Sequence, residues 1–158
     1  MSSEVESVEV PASVAEIGAY AFYACKRLRR VEFARGSRLR RIGRRCFCNT
    51  GIERIAIPAG VDEIQEGAFK ICAHLEEVVF EEGSASCHQS GPASTASPKG
   101  VRCIAGLAFK SCESLRCIRL PDGLERIGAE CFKYSGLETL TLPISVREVG
   151  AGAFSHCK

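Results

Sequence analysis

A phenylalanine recurs at nearly constant spacing along this chain of 158 residues. Successive copies are 25, 22, 40, 23 and 22 residues apart, and each stands in the pattern apolar-x-x-Ile-Gly-x-x-Ala-Phe-x-x-Cys-x-x-Leu-x-x-apolar-x-apolar. A period of roughly 20–29 residues is typical of solenoids, because one short unit cannot bury its apolar side unless it stacks on its neighbours. The pattern therefore predicts a repeat solenoid of about six turns. The column consists of Phe22, Phe47, Phe69, Phe109, Phe132 and Phe154.

Each repeat contains two short segments whose apolar spacing predicts strands. In the first segment, apolar residues lie two apart, as in Val78 and Phe80 or Leu140 and Leu142, which is expected of a strand with one buried face. The second segment reads apolar-x-x-apolar, and glycine follows it in four of the repeats, as in Gly128. We expect these glycines to form tight corners or to adopt positive φ. The stacked phenylalanines are expected to form a continuous buried ladder.

The string Val14-x-x-Ile-Gly-x-x-Ala-Phe-x-x-Cys-x-x-Leu-x-x-Val resembles the BspA-like, or Treponema-type, leucine-rich repeats. The resemblance covers the whole chain except one insertion. It implies a right-handed leucine-rich-repeat coil of parallel β-strands with short helical turns near Ala-Phe. Members of that family are commonly surface or secreted proteins of bacteria and parasitic protists, and some are adhesins that bind host matrix proteins. The resemblance thus implies protein binding without catalysis, and the family has no fixed ligand residues to transfer.

The repeats occupy residues 1–158 as one leucine-rich-repeat domain with incomplete turns at both ends. Residues 85–100 interrupt them with a Ser-, Ala-, Gly- and Pro-rich stretch, which predicts a disordered insertion loop. Solenoids need polar caps, and neither end provides one. Three explanations compete: the chain is a fragment of a longer array, it stacks end to end with itself, or its terminal turns fray. We favour the first.

Composition and charge argue against several classes of function. No apolar run approaches the roughly 18 residues of a membrane span, so no membrane span is expected. The N-terminal residues are acidic where a secretory signal would be basic and then apolar, which favours a cytoplasmic location. A fragment of a longer protein would instead belong at the cell surface or outside the cell. The net charge of +2 indicates no partner by itself.

A basic run at residues 26–45 raises the alternative of a nucleic-acid binder. When the turns are stacked, however, charges of opposite sign fall beside each other in neighbouring strands, as for Arg41 and Glu63. Such pairs stabilise one register of the coil. We therefore favour a structural charge ladder over a nucleic-acid partner. The arginines expected to remain unpaired are Arg27, Arg35, Arg38, Arg44 and Arg45.

The ten cysteines and three histidines do not form a recognisable metal or catalytic motif. Most cysteines occupy repeat columns, where a small buried side chain is expected. Cys72 and Cys112 share a column and could reach disulfide distance, whereas a chain without a signal peptide would keep its thiols reduced. Cys103 and Cys117 are predicted to be exposed. We expect no enzyme activity, no cofactor and no bound metal.

The predicted function is a non-catalytic protein–protein binding scaffold, with adhesin-like surface recognition of a protein ligand. The alternatives are an intracellular structural scaffold and the basic-patch nucleic-acid binder. Outward positions of the first strands form the candidate binding surface, which would be the concave face of the coil. Arginine is a frequent anchor in interfaces, and a small apolar centre would support it. The candidate residues are Arg30, Glu32, Arg54, Ala56, Glu77, Val79 and Arg119.

Overall fold

The computed structural model describes residues 4–82 and 100–158. Within these ranges the chain forms ten short strands and no helix. The strands are β1 (Ser7–Val10), β2 (Glu16–Ile17), β3 (Arg30–Phe33), β4 (Arg41–Ile42), β5 (Arg54–Ile57), β6 (Glu63–Ile64), β7 (Glu77–Phe80), β8 (Cys103–Ile104), β9 (Arg126–Ile127) and β10 (Glu148–Val149).

These strands form two parallel sheets that run along the coil. The first sheet has the order β1-β3-β5-β7, and the second has the order β2-β4-β6-β8-β9-β10. Each turn of the coil adds one strand to the second sheet, so its six strands mark six passes of the chain and five complete turns between the first and the last. The predicted parallel-strand solenoid is confirmed.

The phenylalanine column forms the third side of the coil. Neighbouring rings stack face to face, with centroids 5.2–5.5 Å apart and planes within 11° of parallel. The four inner rings are completely buried, while Phe22 and Phe154 at the two ends are partly buried. Burying one such ring contributes about 1.5–3 kcal/mol, so the column is a major part of the core. The predicted aromatic ladder is confirmed.

A backbone ladder accompanies the rings, and we call this side the Phe wall: the residues from two before to three after each column phenylalanine. In the wall, the Phe69 N–H donates to the Ala108 carbonyl of the next turn at 2.8 Å, and the Ile71 N–H donates to the Lys110 carbonyl at 2.8 Å. The Cys72 N–H instead closes a single turn onto the Phe69 carbonyl at 3.3 Å. The helical turns expected near Ala-Phe are therefore isolated hydrogen-bonded turns.

Along the wall, N–H groups that donate to the next turn alternate with N–H groups that close a turn within the same repeat. This alternation requires left-handed backbone at two columns of the wall, which the sequence pattern did not indicate. Residues two before and two after each phenylalanine have positive φ, including Ile71 at 61°. Left-handed backbone costs a residue other than glycine roughly 1–2 kcal/mol, and the hydrogen bonds between turns offset that cost. The two columns are Tyr20, Arg45, Gly67, Leu107, Glu130 and Gly152, and Ala24, Asn49, Ile71, Ser111, Tyr134 and His156.

The glycines after the second segments have a different role from the expected positive φ. None of the four is among the residues with positive φ. Instead, a Cβ on Gly128 would lie 2.2 Å from the Gly106 nitrogen, and one on Gly43 would lie 2.3 Å from the Ile17 carbonyl oxygen. Glycine is needed at Gly43, Gly128 and Gly150 because the backbones of adjacent turns approach closely, whereas a Cβ on Gly18 would meet nothing within 4 Å.

The first sheet stops at β7, although the coil continues. Residues 116–120, expected to be the next strand, form only an isolated parallel bridge between Cys117 and Thr139. On the other two sides the turns remain joined, because β6 pairs with β8 and the Phe wall crosses without a gap. Farther on, Leu142 is 41% exposed rather than inward as expected, since its segment lies outside the regular strands. Within the described residues, the strand pairing is thus interrupted on the side of the first sheet and continuous on the other two sides.

The expected disordered insertion, residues 85–100, lies outside the described residues except for Gly100. Its nature and the assignment of residues 1–158 to a single domain stay predictions.

Candidate functional site

The first sheet turns one face away from the core, and we call it the outer face: the exposed side chains of β1, β3, β5 and β7. Six of the seven predicted site residues lie here in pairs, one pair on each of β3, β5 and β7. The seventh, Arg119, is exposed but belongs to residues 116–120, beyond the interruption of the sheet. The pairs are Arg30 and Glu32, Arg54 and Ala56, and Glu77 and Val79.

Like charges lie side by side on the outer face. Glu9 lies opposite Glu32, and Arg30 lies opposite Arg54. Like charges at directly opposed positions destabilise a sheet by about 0.2–1 kcal/mol each. Among the described residues the compensation is partial: Arg30 Nε is 3.9 Å from Glu32 Oε1, and Arg54, which lies opposite Glu77, has its Nη1 3.6 Å from Glu77 Oε2. The face therefore has charge that its own residues do not neutralise well.

Between these charges the outer face has a small apolar centre. Ala56 lies opposite Val79, and Val79 is 46% exposed. Glu9 was not among the predicted site residues, although its position in the same column as Glu32 was the signal that could have included it. The outer face thus combines an acidic pair, a basic pair and a valine.

The second sheet has the opposite arrangement of charge. Arg41 lies between Glu16 and Glu63, with nitrogen-to-oxygen distances of 3.5 and 3.6 Å. Arg126 lies opposite Glu148 at 2.9 Å. The predicted charge ladder is confirmed in this sheet, where Arg41 faces a carboxylate on both sides and Arg126 faces Glu148 on one side and Cys103 on the other.

Much of the basic run is neutralised by the same stacking. Two arginines expected to be unpaired have partners: Arg27 Nη2 lies 2.6 Å from Glu6 Oε1, and Arg44 Nη2 lies 3.6 Å from Glu66 Oε1. That expectation was wrong because it compared only the columns of the two strand segments, whereas Arg44 and Glu66 are equivalent residues three positions before the column phenylalanines. Three of the five have no ion pair among the described residues: Arg35, Arg38 and Arg45.

The cysteine column supplies hydrogen-bond donors to the Phe wall. The Cys72 thiol donates to the Phe47 carbonyl at 3.0 Å, and the Cys112 thiol donates to the Phe69 carbonyl at 3.2 Å. Thr50 takes the same column and donates its hydroxyl to Phe47 O at 2.9 Å. The nine described cysteines are free thiols. Every member of the column carries an O–H or S–H donor: Cys25, Thr50, Cys72, Cys112, Ser135 and Cys157.

The buried thiols have little nucleophilic character at neutral pH. Burial raises the pKa of Cys72 to about 11 and raises the pKa of Cys112 well above its usual value. Cys103 is half-buried rather than exposed, and burial followed by the charge of Glu63 raises its pKa as well. Cys117 is exposed, as predicted. The thiolate is the reactive form, so the buried cysteines act as structural donors.

Neither a metal nor a catalytic group emerges from the described part of the chain. In residues 4–82 and 100–158, no three side chains of His, Cys, Asp or Glu are grouped so that they could hold a metal ion. The adjacent Cys87 and His88 lie outside the described residues. These ranges also lack any helix long and apolar enough to cross a membrane.

Parallel strands stacked turn on turn, with a stacked phenylalanine in each repeat, define a leucine-rich-repeat solenoid, which is generally a non-catalytic scaffold. The family described as "BspA type Leucine rich repeat region" matches residues 1–97 and 92–158, with six copies of its repeat. The chain belongs to this family, which confirms the resemblance seen in the repeats.

Solved structures with the same architecture come from bacteria. A leucine-rich cell surface protein from Faecalibacterium prausnitzii is 30% identical, with a TM-score of 0.73 over 97% of this chain and 37% of its own. The T. pallidum leucine-rich repeat protein is 26% identical, with a TM-score of 0.59 over 98% of this chain and 56% of its own.

The pneumococcal vaccine antigen PcpA is 23% identical, with a TM-score of 0.70 over 84% of this chain and 29% of its own, and this likeness shows the fold alone. The chain therefore spans between 29% and 56% of the length of these three proteins. No curated sequence relative matches the chain.

Proposed function

We propose that this chain is a protein-binding scaffold whose contact surface is the outer face of the first sheet. The observation that carries the proposal is the arrangement of like charges there: Glu9 beside Glu32 and Arg30 beside Arg54. The second sheet shows that the same repeat can place opposite charges together, as it does around Arg41. A partner with complementary charge would neutralise the outer face and remove its internal repulsion.

The partner is expected to be a folded protein with an acidic group facing Arg30 and Arg54, a basic group facing Glu9 and Glu32, and an apolar side chain over Val79. Buried arginines and an apolar centre are common features of interface cores. Adhesin-like recognition at a cell surface fits this arrangement, and the name of the F. prausnitzii relative, a cell surface protein, supports it. An intracellular scaffold would use the same face, and the nucleic-acid alternative is not favoured because much of the basic run is paired.

The test uses three immobilised matrix proteins, fibronectin, laminin and collagen, with the chain in solution and binding measured by biolayer interferometry. If the outer face binds, the double variant Arg30→Glu/Arg54→Glu should bind about tenfold more weakly or worse, because it reverses the basic pair. The matched control is Arg35→Glu/Arg147→Glu, which makes the same change in net charge at exposed arginines that have no ion pair within the described residues.

An equal loss in both double variants would indicate a general charge effect and would rule out the outer face as the site. Failure to bind any of the three proteins would rule out the matrix-adhesin form of the proposal. A fluorescein-labelled 20-nucleotide DNA serves as the comparison probe, and steeply salt-dependent binding of that DNA would favour the basic patch instead.

A further inference from the structure

The interruption of the first sheet leaves two strand edges facing one space. Beyond β7, a cleft opens between residues 77–82 and residues 117–123, and it is part of a space of about 1440 Å³ that also extends past residues 36–40 and 57–60 of the earlier turns. Small-molecule pockets usually measure about 300–1,000 Å³, so the space is large for such a ligand. Each side of the cleft is about as long as a typical strand.

Backbone groups on the β7 side of this cleft have no partner in the sheet. The Glu77 N–H donates to the carbonyl of Glu53, the residue before β5, and the Glu81 N–H donates to the Ile57 carbonyl at the end of β5. Successive residues of a strand direct their N–H and C=O groups to opposite sides, so Val78 directs its backbone groups into the cleft, as does Phe80 at the end of the strand.

The opposite edge has the same property. The Glu138 N–H donates to the Arg116 carbonyl at 3.0 Å, and Cys117 bridges to Thr139, so this segment already pairs with the following turn. By the same alternation, the backbone groups of Cys117 and Arg119 point back toward β7. Among the described residues no backbone hydrogen bond joins the two edges. An exposed strand edge of this kind is a template for one more strand.

The floor and the rim of the cleft indicate the chemistry of its occupant. The floor is apolar, since the buried Val78, Ile118 and Leu120 line it. On the rim, the exposed carboxylates of Glu81 and Asp122 stand on opposite edges, and neither has an ion pair within the described residues. Two arginines of the same lining are paired, Arg40 with Asp62 and Arg119 with Glu82, which leaves Arg38, toward the earlier turns, as the unpaired cation of the lining within those residues.

We propose that the cleft between β7 and residues 116–120 binds an extended peptide of a partner protein, which adds a strand between the two edges and places a basic residue between Glu81 and Asp122. Strand addition obtains affinity from main-chain hydrogen bonds and specificity from alternate side chains. A second copy of this chain fits less well, because docking through β1 would bring Glu6 and Glu9 against the acidic rim. Glu77 and Val79 of the outer face also line the cleft, whereas Arg30 and Arg54 do not, so variants at these two arginines distinguish the two sites.

The probe is a fluorescein-labelled peptide, Lys-Thr-Val-Thr-Val-Thr-Lys, whose terminal lysines present a cation in either strand direction. Fluorescence anisotropy with the full chain should show saturable binding. Two control peptides should bind about tenfold more weakly or worse: one with glutamate in place of both lysines, and one with N-methyl groups on its threonines, which cannot donate to one edge. The outer-face variant Arg30→Glu/Arg54→Glu should bind the probe normally.

The protein variants address the same two features. Cys117→Pro removes an N–H that faces the cleft, at an exposed position, and should weaken binding about tenfold, whereas Cys117→Ser should not. The double variant Glu81→Lys/Asp122→Lys should prefer the glutamate peptide, and its control Glu9→Lys/Glu113→Lys should keep the original preference. This charge reversal keeps the proposal testable if Cys117→Pro lowers stability in thermal unfolding.

Three results would overturn the proposal. The first is no saturable binding of the lysine peptide up to about 1 mM. The second is equal binding by Cys117→Pro and Cys117→Ser together with an unchanged preference in the rim variant. The third is a dimer in light scattering that Cys117→Pro dissociates, which would show that a second copy occupies the cleft.

Discussion

The two sheets are made from the same repeat, yet they differ in continuity and in charge. The second sheet runs without a break through six strands, and its two strand arginines, Arg41 and Arg126, each face at least one carboxylate of an adjacent turn. The first sheet stops after four strands, and its outer face places Glu9 beside Glu32 and Arg30 beside Arg54. The second sheet and the Phe wall join the turns on both sides of the break, so the first sheet is the side that we propose for contacts with other molecules.

This comparison also explains why the coil survives the interruption. Across the break the Phe69 N–H still donates to the Ala108 carbonyl, and the Phe69 and Phe109 rings are stacked with centroids 5.3 Å apart. In a solenoid each repeat contacts only its neighbours. Two continuous sides are therefore enough to keep the repeats before and after the break stacked on each other. The first sheet can thus stop after β7 without separating the two halves of the core.

The largest expected effect is on the continuous side of the break. Phe69→Ala should lower the free energy of unfolding by about 3–5 kcal/mol, because the ring is completely buried and leaves a cavity. Phe80→Ala, at the end of β7, should cost less than about half of that, since its ring is only partly buried. Urea unfolding of both variants measures the difference, and equal losses would contradict the idea that the Phe wall carries the junction.

A second prediction concerns the close approach of adjacent turns. Gly128→Ala should destabilise the chain by about 2 kcal/mol or more, because its Cβ would lie 2.2 Å from the Gly106 nitrogen, a backbone atom that cannot move alone. Thermal unfolding should show a fall in Tm of about 5 °C or more.

Gly18 supplies the matched control for that substitution. It holds the same repeat position in the first turn, where a Cβ meets nothing within 4 Å. Gly18→Ala should therefore change the stability by less than about 0.5 kcal/mol. If the two variants were equally destabilised, backbone conformation rather than contact between turns would explain the conserved spacing of these glycines within the chain.

The smallest expected effect tests the difference in charge between the sheets. Arg41→Glu should cost about 1 kcal/mol, because it replaces two exposed attractive pairs, with Glu16 and Glu63, by repulsive ones. Arg30→Glu should be nearly neutral, since it removes a like-charge contact with Arg54. Urea unfolding at low and high salt checks both values, and salt should reduce the Arg41 effect. A larger loss for Arg30→Glu than for Arg41→Glu would show that the outer face is arranged for stability.

Repetition in the sequence made the core predictable. Placing equivalent residues of successive repeats beside each other is enough to predict three features: the stacked column phenylalanines, the apolar strand positions and the ion pairs of Arg41. The same procedure placed six of the seven candidate site residues on one face. It also marked where the coil would be disturbed, since the 40-residue step stands between Phe69 and Phe109.

Features that depend on how adjacent turns approach each other were not predictable in the same way. Positive φ falls at Ile71 and Tyr134, residues that rarely indicate it, because the ladder between turns determines their backbone. The thiols of Cys72 and Cys112 face carbonyls of the preceding turn, a role visible in the sequence only through Thr50 and Ser135 in the same column. Leu142 is exposed because no regular strand forms around it.

The sequence by itself determined the class of fold, the contents of its core and the charge register of the second sheet, since these follow from a period and from residue types. Only the tertiary structure decided that β7 and residues 116–120 do not pair, and that Glu81 and Asp122 flank the resulting cleft. The physical reason is that pairing depends on distance and direction in space. Two segments with the same strand pattern can stack or stay apart according to what the other sides of the coil allow.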